Sequence, residues 1–293
     1  MVWLKWVVIA LVALVVLVFA LGAFGSGRWA AATRALHDRL EAARVPVTPA
    51  RYDAARELEG LPPPVQRYFR AALKDGQAMV EAAAIEHTGT FNFAADGPDQ
   101  WKPFRSKQRV AMRRPGLVWD ARMPMLPGVT VHVHDVYVAG EGILHPAVMG
   151  LVSLANVRGT SPEAGGIAEG EFMRWLAEAA WYPTALLPSQ GVRWSAIDDR
   201  SARATMSDGA LKVTLDFTFD AGTGLIETVR AQARGRTVGD KVELTPWEGR
   251  WTAYAERDGM KVPMEGEVAW LTAQGRRAYW RGTVTALAFT LAR

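Results

Sequence analysis

An uninterrupted apolar segment near the N-terminus is the strongest pattern in the chain. Residues 6–24 (WVVIALVALVVLVFALGAF) contain no charged side chain, and their length of 19 residues is close to the ~20 that a helix needs to cross a membrane. Trp3 and Trp29 lie near the two ends, where aromatic side chains favour the membrane interface. A cleaved signal peptide is the alternative, but residues 21–26 (LGAFGS) match its small-x-small cleavage site poorly. We predict an uncleaved transmembrane anchor over residues 1–27.

Between the anchor and the first strands, the spacing of the apolar residues is helical. Leu36 and Leu40 share one side of residues 30–43, which we expect to continue the anchor as a stalk. A second helix is predicted over residues 65–73 (VQRYFRAAL), because prolines precede it and its apolar residues form a stripe. We therefore predict a helical stalk and preface over residues 28–83.

From residue 84 onward the hydrophobic period changes to the two-residue period of β-strands. In residues 211–220 (LKVTLDFTFD) apolar and polar side chains alternate without a break, which indicates an antiparallel strand with one buried face. Turn residues such as Asp208-Gly209 separate many of these segments. The other predicted strands are 85–93, 104–113, 117–125, 129–139, 192–198, 202–207, 226–236, 241–245, 251–257, 262–271 and 278–291.

The predicted fold is mainly β, of the α+β class, because so many short strands follow one another with few helices between them. A flat sheet of ten or more strands tends to curl or close. We therefore expect residues 84–293 to form a large curved antiparallel sheet or open half-barrel with covering helices. One helix, near residues 169–182, interrupts the strands and has Phe172 and Trp175 on its apolar stripe. We expect this helix to cover the sheet or to plug its mouth.

Composition adds limits on the chemistry. The 293 residues are 49% hydrophobic and 22% charged, which is typical of a globular protein, and the net charge is +4. The absence of cysteine excludes disulfides, thiolate nucleophiles and a lipidated N-terminal cysteine. No P-loop, dinucleotide-binding or nucleophile-elbow motif is present. We predict no cofactor and no nucleic-acid partner.

Two histidines, His132 and His134, point to the same face of a predicted strand, and two imidazoles on one face can begin a metal site. His87 on another strand would complete the site only if the register placed it nearby. No second close pair of histidines and no acidic cluster supports a metal centre, so we predict none.

A basic strand face is predicted from Arg230, Arg234 and Arg236, which alternate along residues 226–236. Proteins that bind single-stranded nucleic acids place aromatic residues among the basic ones, and this face has no aromatic residue between its arginines. A solvated sheet face is the simplest interpretation, and contact with anionic lipid is the functional one that the anchor favours.

Tryptophan and methionine dominate several apolar strand faces, and the chain contains 12 tryptophans and 10 methionines. Such large, adaptable side chains suit a loosely filled apolar cavity, but a curved sheet also needs bulky residues in an ordinary core. Both interpretations stay open. The residues that we expect to line a ligand cavity are Trp119, Met123, Met125, Phe172, Trp175, Trp181 and Tyr182.

Several long motifs resemble those of a bacterial family that is known as a domain of unknown function behind an N-terminal membrane anchor. The motifs are residues 60–69 (GLPPPVQRYF), 101–104 (WKPF), 114–122 (RPGLVWDAR), 181–191 (WYPTALLPSQG), 245–250 (TPWEGR) and 266–270 (GEVAW). The resemblance covers nearly the whole chain and implies no activity, cofactor or catalytic residue. The predicted architecture is also similar to the lipoprotein-localisation-factor (LolA/LolB-like) fold, whose members cradle acyl chains.

Our leading functional hypothesis is a membrane-anchored module that binds an apolar ligand, a lipid or a lipoprotein acyl chain, in the cavity of a curved sheet. An envelope protein that binds a protein partner, or has a structural role, is the first alternative. An enzyme acting on a hydrophobic substrate is the second, with candidate polar groups in Asp120, Arg122, His132, His134 and Glu248. The oligomeric state stays open.

The anchor predicts a single-pass protein of the cytoplasmic membrane. Arg28, Arg34, Arg39 and Arg44 follow the apolar segment, and by the positive-inside rule they favour a cytoplasmic domain. The similarity to acyl-chain carriers favours the other side of the membrane, and we expect the domain to be extracytoplasmic.

Overall fold

One antiparallel sheet contains fourteen strands of the part of the chain that the computed structural model describes, which is residues 2–94, 97–239 and 241–293. The strands are β1 (Val80–Asn92), β2 (Trp101–Ala111), β3 (Gly116–Leu126), β4 (Val129–Val138), β5 (Glu141–Val148), β6 (Val152–Ser153), β7 (Val157–Gly159), β8 (Arg193–Ala196), β9 (Ser201–Asp208), β10 (Leu211–Phe219), β11 (Ile226–Val238), β12 (Lys241–Arg257), β13 (Met260–Thr272) and β14 (Gly275–Leu291). Their order is β6-β5-β4-β3-β2-β1-β14-β13-β12-β11-β10-β9-β8, and β7 pairs with β5. The outermost strands do not pair with each other, so the sheet is open. The predicted large antiparallel sheet is confirmed.

The chain enters and leaves the sheet at its centre, where β1 pairs with β14. From β1 the chain runs through successive hairpins to β6 at one edge. After a helical connection it resumes with β8 at the opposite edge and returns by hairpins to β14. The alternation in residues 211–219 is realised in β10, where every apolar residue is buried. The sheet thus consists of two arms joined at β1 and β14.

Four α-helices accompany the sheet in the described residues: α1 (Val2–Ala43), α2 (Ala54–Glu57), α3 (Pro63–Ala72) and α4 (Ile167–Ala177). Short 3-10 turns follow α4 at Glu178–Trp181, Pro183–Leu186 and Pro188–Gln190. The helix that we predicted near residues 169–182 is therefore α4 together with the first of these turns. Pro63 and Pro64 occupy the first turn of α3, where a missing N–H is tolerated.

Helix α4 packs between the two arms of the curved sheet. It contacts β4 and β5 on one arm and β10 and β11 on the other. Phe172, Trp175 and Leu176 have no exposed surface. Most of the residues of α4 are buried, so the helix is part of the core. We call the face of the sheet that α4 covers the inner face.

Helix α1 packs on the opposite, outer face of the sheet. Leu36 and Leu40 form a second buried cluster with Val118 of β3, Val136 of β4 and Ile143 of β5. Successive strand residues point to opposite faces, so Val118 faces α1 while its neighbour, Trp119, belongs to the inner core. Two cores therefore share the same three strands.

The N-terminal half of α1 extends beyond the sheet without a break in the helix. Its most apolar 18-residue window has no buried residue, and its mean hydropathy is 3.2. Within the described residues this is the one helix that is long and apolar enough to cross a membrane. The first buried residue of α1 is Gly25, and the other buried residues of the helix follow it.

Candidate functional site

A cavity of ≈530 Å³, which we call the main cavity, lies on the inner face between the two arms of the sheet. Both arms and α4 contribute to its apolar wall, which includes Phe91, Met123, Val131, Val133, Leu144, Pro146, Leu154, Ile167 and Trp270. Its volume falls within the ~300–1,000 Å³ that is typical of small-molecule sites. The main cavity is thus large enough to take an apolar ligand.

A smaller pocket of ≈80 Å³ adjoins the main cavity. We call it the tryptophan pocket, because its lining includes Trp119, Trp181, Trp247, Trp251 and Trp280. Phe91, Trp119 and Tyr279 line both spaces, so the pocket and the main cavity share a wall. An amphiphilic ligand would therefore meet an apolar wall and an aromatic pocket side by side.

A buried ion cluster forms the polar wall of the tryptophan pocket. The Arg174 guanidinium donates to Asp135 Oδ2 at 2.5 Å and to Glu178 Oε1 at 2.7 Å. It also lies 5.1 Å from the ring centroid of Trp119, which is a cation–π distance. Gln108 donates to the second oxygen of Glu178 at 2.6 Å. The charge of Arg174 is thus matched by two carboxylates.

Glu171 and Arg234 form the second charged group beside the cavities. Arg234 Nη2 lies 3.5 Å from Glu171 Oε1, while Glu171 Oε2 has no hydrogen-bond partner among the described residues. Burial and the neighbouring Asp135 carboxylate raise the pKa of Glu171 well above its usual range. The Arg234 guanidinium lies over the rings of Trp247 and Trp270, at 5.2 and 5.9 Å from their centroids.

Three tryptophans of the pocket keep their indole N–H groups without an acceptor. The Nε1 atoms of Trp119, Trp181 and Trp251 are buried, and none has a hydrogen-bond partner in the described residues. Trp247 differs from them, because its Nε1 donates to the Tyr279 hydroxyl at 2.8 Å. Buried indole N–H groups usually find an acceptor, so three unmet donors at one pocket require an explanation.

The predicted basic face of β11 is wrong for two of its three arginines, because Arg234 and Arg236 both line the main cavity on the inner face. A β-bulge lies between Ala231 and Arg234. Ala231 is paired with Trp247 and Arg234 with Thr245, so β11 advances by three residues where β12 advances by two. An extra residue of this kind reverses the facing of the side chains beyond it. Arg234 is consequently 8% exposed and lines both cavities, while Arg230 stays on the outer face.

The seven residues that we expected to line a cavity fall into two groups. Trp119 and Met123 line the main cavity, and Trp119 and Trp181 line the tryptophan pocket. Phe172, Trp175 and Tyr182 are fully buried in the core around α4, and Met125 packs half-buried against that core. Phe91, Arg234, Trp270 and Tyr279 also line the cavities, and the sequence reasoning did not select them.

Four of the five polar residues considered for an enzyme come together, but on the outer face. Asp120 pairs with His134, and Arg122 with His132, across β3 and β4. Glu248 lies apart on β12. Among the described residues that line the main cavity and the tryptophan pocket, none of these five is found.

The outer-face polar residues bind α1. Trp29 Nε1 donates to Asp120 Oδ1 at 2.9 Å, and Thr33 Oγ1 lies 2.7 Å from His134 Nε2. His132 is 3% exposed beneath the same helix. In the part of the chain that the structure describes, no group of three or more His, Asp or Glu side chains is arranged to hold a metal ion. These residues position the helix on the sheet.

Glu248 accepts hydrogen bonds from three arginines. Arg230 and Arg250 donate at 2.7 Å, and Arg276 donates at 2.8 Å. Burial alone would raise the pKa of Glu248, but the hydrogen bonds from these guanidinium groups outweigh it and lower the pKa below its usual range. The carboxylate therefore stays ionised and joins β11, β12 and β14.

A family model matches residues 59–289 of the chain, and it is described as a family of unknown function (DUF6920). The match confirms the resemblance to a domain of unknown function. No curated protein matches the sequence significantly.

Solved structures with a similar fold share about a tenth of the sequence. A LolA superfamily protein from Nitrosomonas europaea is 10% identical with a TM-score of 0.40, and the match covers 76% of this chain and 91% of that one. A domain from Vibrio parahaemolyticus named for outer-membrane lipoprotein sorting is also 10% identical with a TM-score of 0.40, covering 81% and 94%. A DUF1329 family protein from Desulfovibrio piger is 10% identical with a TM-score of 0.39, covering 73% and 88%. Nothing about a ligand follows from these similarities.

Proposed function

The chain belongs to the DUF6920 family, whose function is unknown, and we propose that it is a membrane-anchored module that binds a lipid or acyl chain in the main cavity. The observation that carries the proposal is the cavity of ≈530 Å³ with apolar walls from both arms of the sheet. Burial of an alkyl chain there supplies about 0.8 kcal/mol per CH₂ group. A ligand of this kind needs no catalytic residue.

The position of the cavity relative to α1 supports a membrane ligand. Alternate strands of an antiparallel sheet point the same way, so β1, β3, β5, β11 and β13 all end at one end of the sheet. The cavity lining includes residues at these strand ends, such as Phe91, Met123, Pro146 and Trp270. The apolar half of α1 leaves the sheet at the same end, where Gly25 packs against Met149, just after β5. We call this the anchor end.

The turns at the anchor end lie level with the anchor itself. A Cβ on Gly128, in the β3–β4 turn, would lie 3.2 Å from Cγ1 of Val18. Val18 precedes Phe24, the last apolar residue of the anchor segment, by six residues, which is about 9 Å along a helix. Leu126 in the same turn is 68% exposed. If residues 6–24 span the hydrocarbon core, this turn enters the bilayer surface and the main cavity faces the lipid.

We further propose that the protein crosses the cytoplasmic membrane once, with residues 28–293 on its outer side, because a bilayer-facing cavity suits a carrier or receptor for envelope lipids. Two fusions at the C-terminus test this side: a reporter that is active only in the cytoplasm and one that is active only outside it. Activity of the cytoplasmic reporter would overturn this location without affecting the ligand proposal.

Native mass spectrometry of the full-length protein in a mild detergent tests the ligand proposal. We expect an adduct of lipid mass that survives removal of the micelle and is lost on denaturation. Leu144→Trp should abolish the adduct, because Leu144 lines the main cavity and is half-buried. Ile197→Trp is the matched control, since Ile197 is 46% exposed at the distant β8 edge. No adduct in the wild type, or equal adducts in both variants, would reject the proposal and favour a protein-binding role.

A further inference from the structure

The unmet donors of the tryptophan pocket call for hydrogen-bond acceptors. Trp119, Trp181 and Trp251 each present a buried Nε1–H without a partner in the described residues, and all three line the same pocket of ≈80 Å³. A donor buried without an acceptor loses its hydrogen bonds to water and gains none in return. A ligand group that carries acceptor oxygens would satisfy these donors.

The charges around the pocket are already balanced. Asp135 and Glu178 supply two negative charges, and Arg174 and Arg234 supply two positive ones. Glu171 lines the adjoining main cavity and not this pocket, and its Oε1 lies 3.5 Å from Arg234 Nη2. An anionic or cationic group would leave an unmatched charge in a largely dry site, which is costly. The pocket therefore contains charges of both signs, and within the described residues its three unpaired indole donors outnumber its one unpaired acceptor, Asp135 Oδ1.

The size and position of the pocket restrict the ligand further. The tryptophan pocket is small beside the main cavity of ≈530 Å³, and the two share Phe91, Trp119 and Tyr279. A compact polar group fits the pocket, whereas a sugar or a second alkyl chain exceeds it. A ligand that joins a compact polar group to one apolar chain would occupy both spaces together.

We propose that the tryptophan pocket binds the uncharged carbonyl of an ester or amide in an acylated amphiphile, with the indole N–H groups of Trp119, Trp181 and Trp251 as donors. This assignment rests on the proposed function, because the acyl chain of the same molecule lies in the main cavity. A molecule that leaves the bilayer at the anchor end enters with its polar group first, and its acyl chain follows between the apolar walls.

Three probes with the same C18 chain length separate the possibilities in the full-length protein: monooleoylglycerol, oleate at pH 8 and 1-octadecene. Native mass spectrometry of a titration in detergent gives an apparent affinity for each. We expect monooleoylglycerol, which has an uncharged ester carbonyl, to bind at least tenfold more tightly than the other two. Equal or tighter binding of oleate would overturn the assignment in favour of an acidic group.

Variants that remove single N–H groups test the donors. Trp181→Phe and Trp251→Phe should each weaken the affinity for monooleoylglycerol by about 2- to 12-fold, which corresponds to the loss of one hydrogen bond. Both variants should leave the affinity for 1-octadecene unchanged. Trp194→Phe is the control, because Trp194 is not among the residues that line either cavity and its Nε1 already donates to the Leu186 carbonyl. Unchanged binding of 1-octadecene also shows that the variants are folded.

The failures of the two proposals are distinguishable. If none of the three probes is retained by the wild type, the proposed function fails and the assignment fails with it. If the probes bind with equal affinity, or if the variants weaken 1-octadecene as much as the ester, the main cavity binds lipid and the carbonyl assignment alone is wrong.

Discussion

The indole ring of Trp29 stacks on the imidazole ring of His134, with the ring centroids 3.9 Å apart and the planes inclined by 16°. The contact joins the C-terminal half of α1 to β4. Thr33, one helical turn further along α1, reaches Nε2 of the same histidine. Because α1 is one uninterrupted helix, this contact fixes the orientation of the sheet relative to the apolar N-terminal half of that helix.

Trp29→Ala should release α1 from the outer face. Truncation of a buried tryptophan usually costs about 3–5 kcal/mol, and Trp29 is 3% exposed. We expect trypsin to cleave after Arg34 and Arg39 at least about tenfold faster, because about 1.4 kcal/mol already corresponds to a factor of ten. Trp6→Ala, at a position that is 66% exposed, is the control and should leave the cleavage rate unchanged.

Stability should decrease on mild acidification. Burial, with nearby His145 and His132, lowers the pKa of His134 to about 3, below its ordinary value of 6.5. Between these values the folded protein binds fewer protons than the unfolded chain, so its stability is complete above pH 6.5 and declines as the pH falls toward 3. We expect His134 to account for a loss of about 2 kcal/mol between pH 7.5 and pH 5, measured by denaturant unfolding.

His134→Phe keeps an aromatic ring under Trp29 and removes the titrating group. Between pH 7.5 and pH 5 this variant should therefore lose less stability than the wild type. His87→Phe is the matched variant on the inner face, where burial and Arg174 lower the pKa of His87 to about 3 as well. It should reduce the pH dependence to a similar extent without changing the cleavage of α1. The linkage argument is wrong if neither variant alters the pH dependence.

Removal of the central arginine should be far more damaging than removal of a surface arginine. Arg174→Met leaves Asp135 and Glu178 buried without their counter-ion, and loss of one partner of a buried pair costs about 3–5 kcal/mol. Arg203→Met removes a bidentate pair with Asp216 on the exposed side of β9, which is worth about 1 kcal/mol or less. Denaturant unfolding of both variants measures the difference, and equal losses would contradict the argument.

Local patterns predicted the architecture but could not position the pocket. The strict alternation of residues 211–220 was sufficient to identify β10 and its buried face, and the turn at Asp208-Gly209 gave its hairpin with β9. These signals come from neighbours in the sequence. Met123 and Trp270 meet around one cavity because of the order of distant strands and the packing of both arms against α4, and neither is visible in the local sequence.

Arg234 shows most clearly why the site was only partly predictable. The two-residue period assigned it to the same face as Arg230, and a bulge of one residue reversed that assignment. Neither Gln232 nor Ala233 is a turn-forming residue, so the local sequence contains no signal of the extra residue. Trp119 was identified because the pairing of β3 is regular up to Met123. Its indole ring lines the same pocket as Arg234, which the two-residue period had assigned to the outer face.

The proposed contact between the anchor end of the sheet and the membrane can be tested directly, because the chain contains no cysteine and a single one can be introduced for labelling. A fluorophore on Leu126→Cys, in vesicles with spin-labelled lipids, should be quenched at a depth below the headgroups, since the β3–β4 turn lies level with Val18.

Gly25→Val in the same protein should reduce the quenching. A Cβ at Gly25 would overlap the Met149 carbonyl oxygen and push α1 away from the β5–β6 turn. Gly27→Val is the control, because nothing lies within 4 Å of a Cβ at Gly27. Weak quenching of Leu126→Cys without the second substitution would mean that the anchor end stands clear of the lipid, and a ligand would then reach the cavity through water.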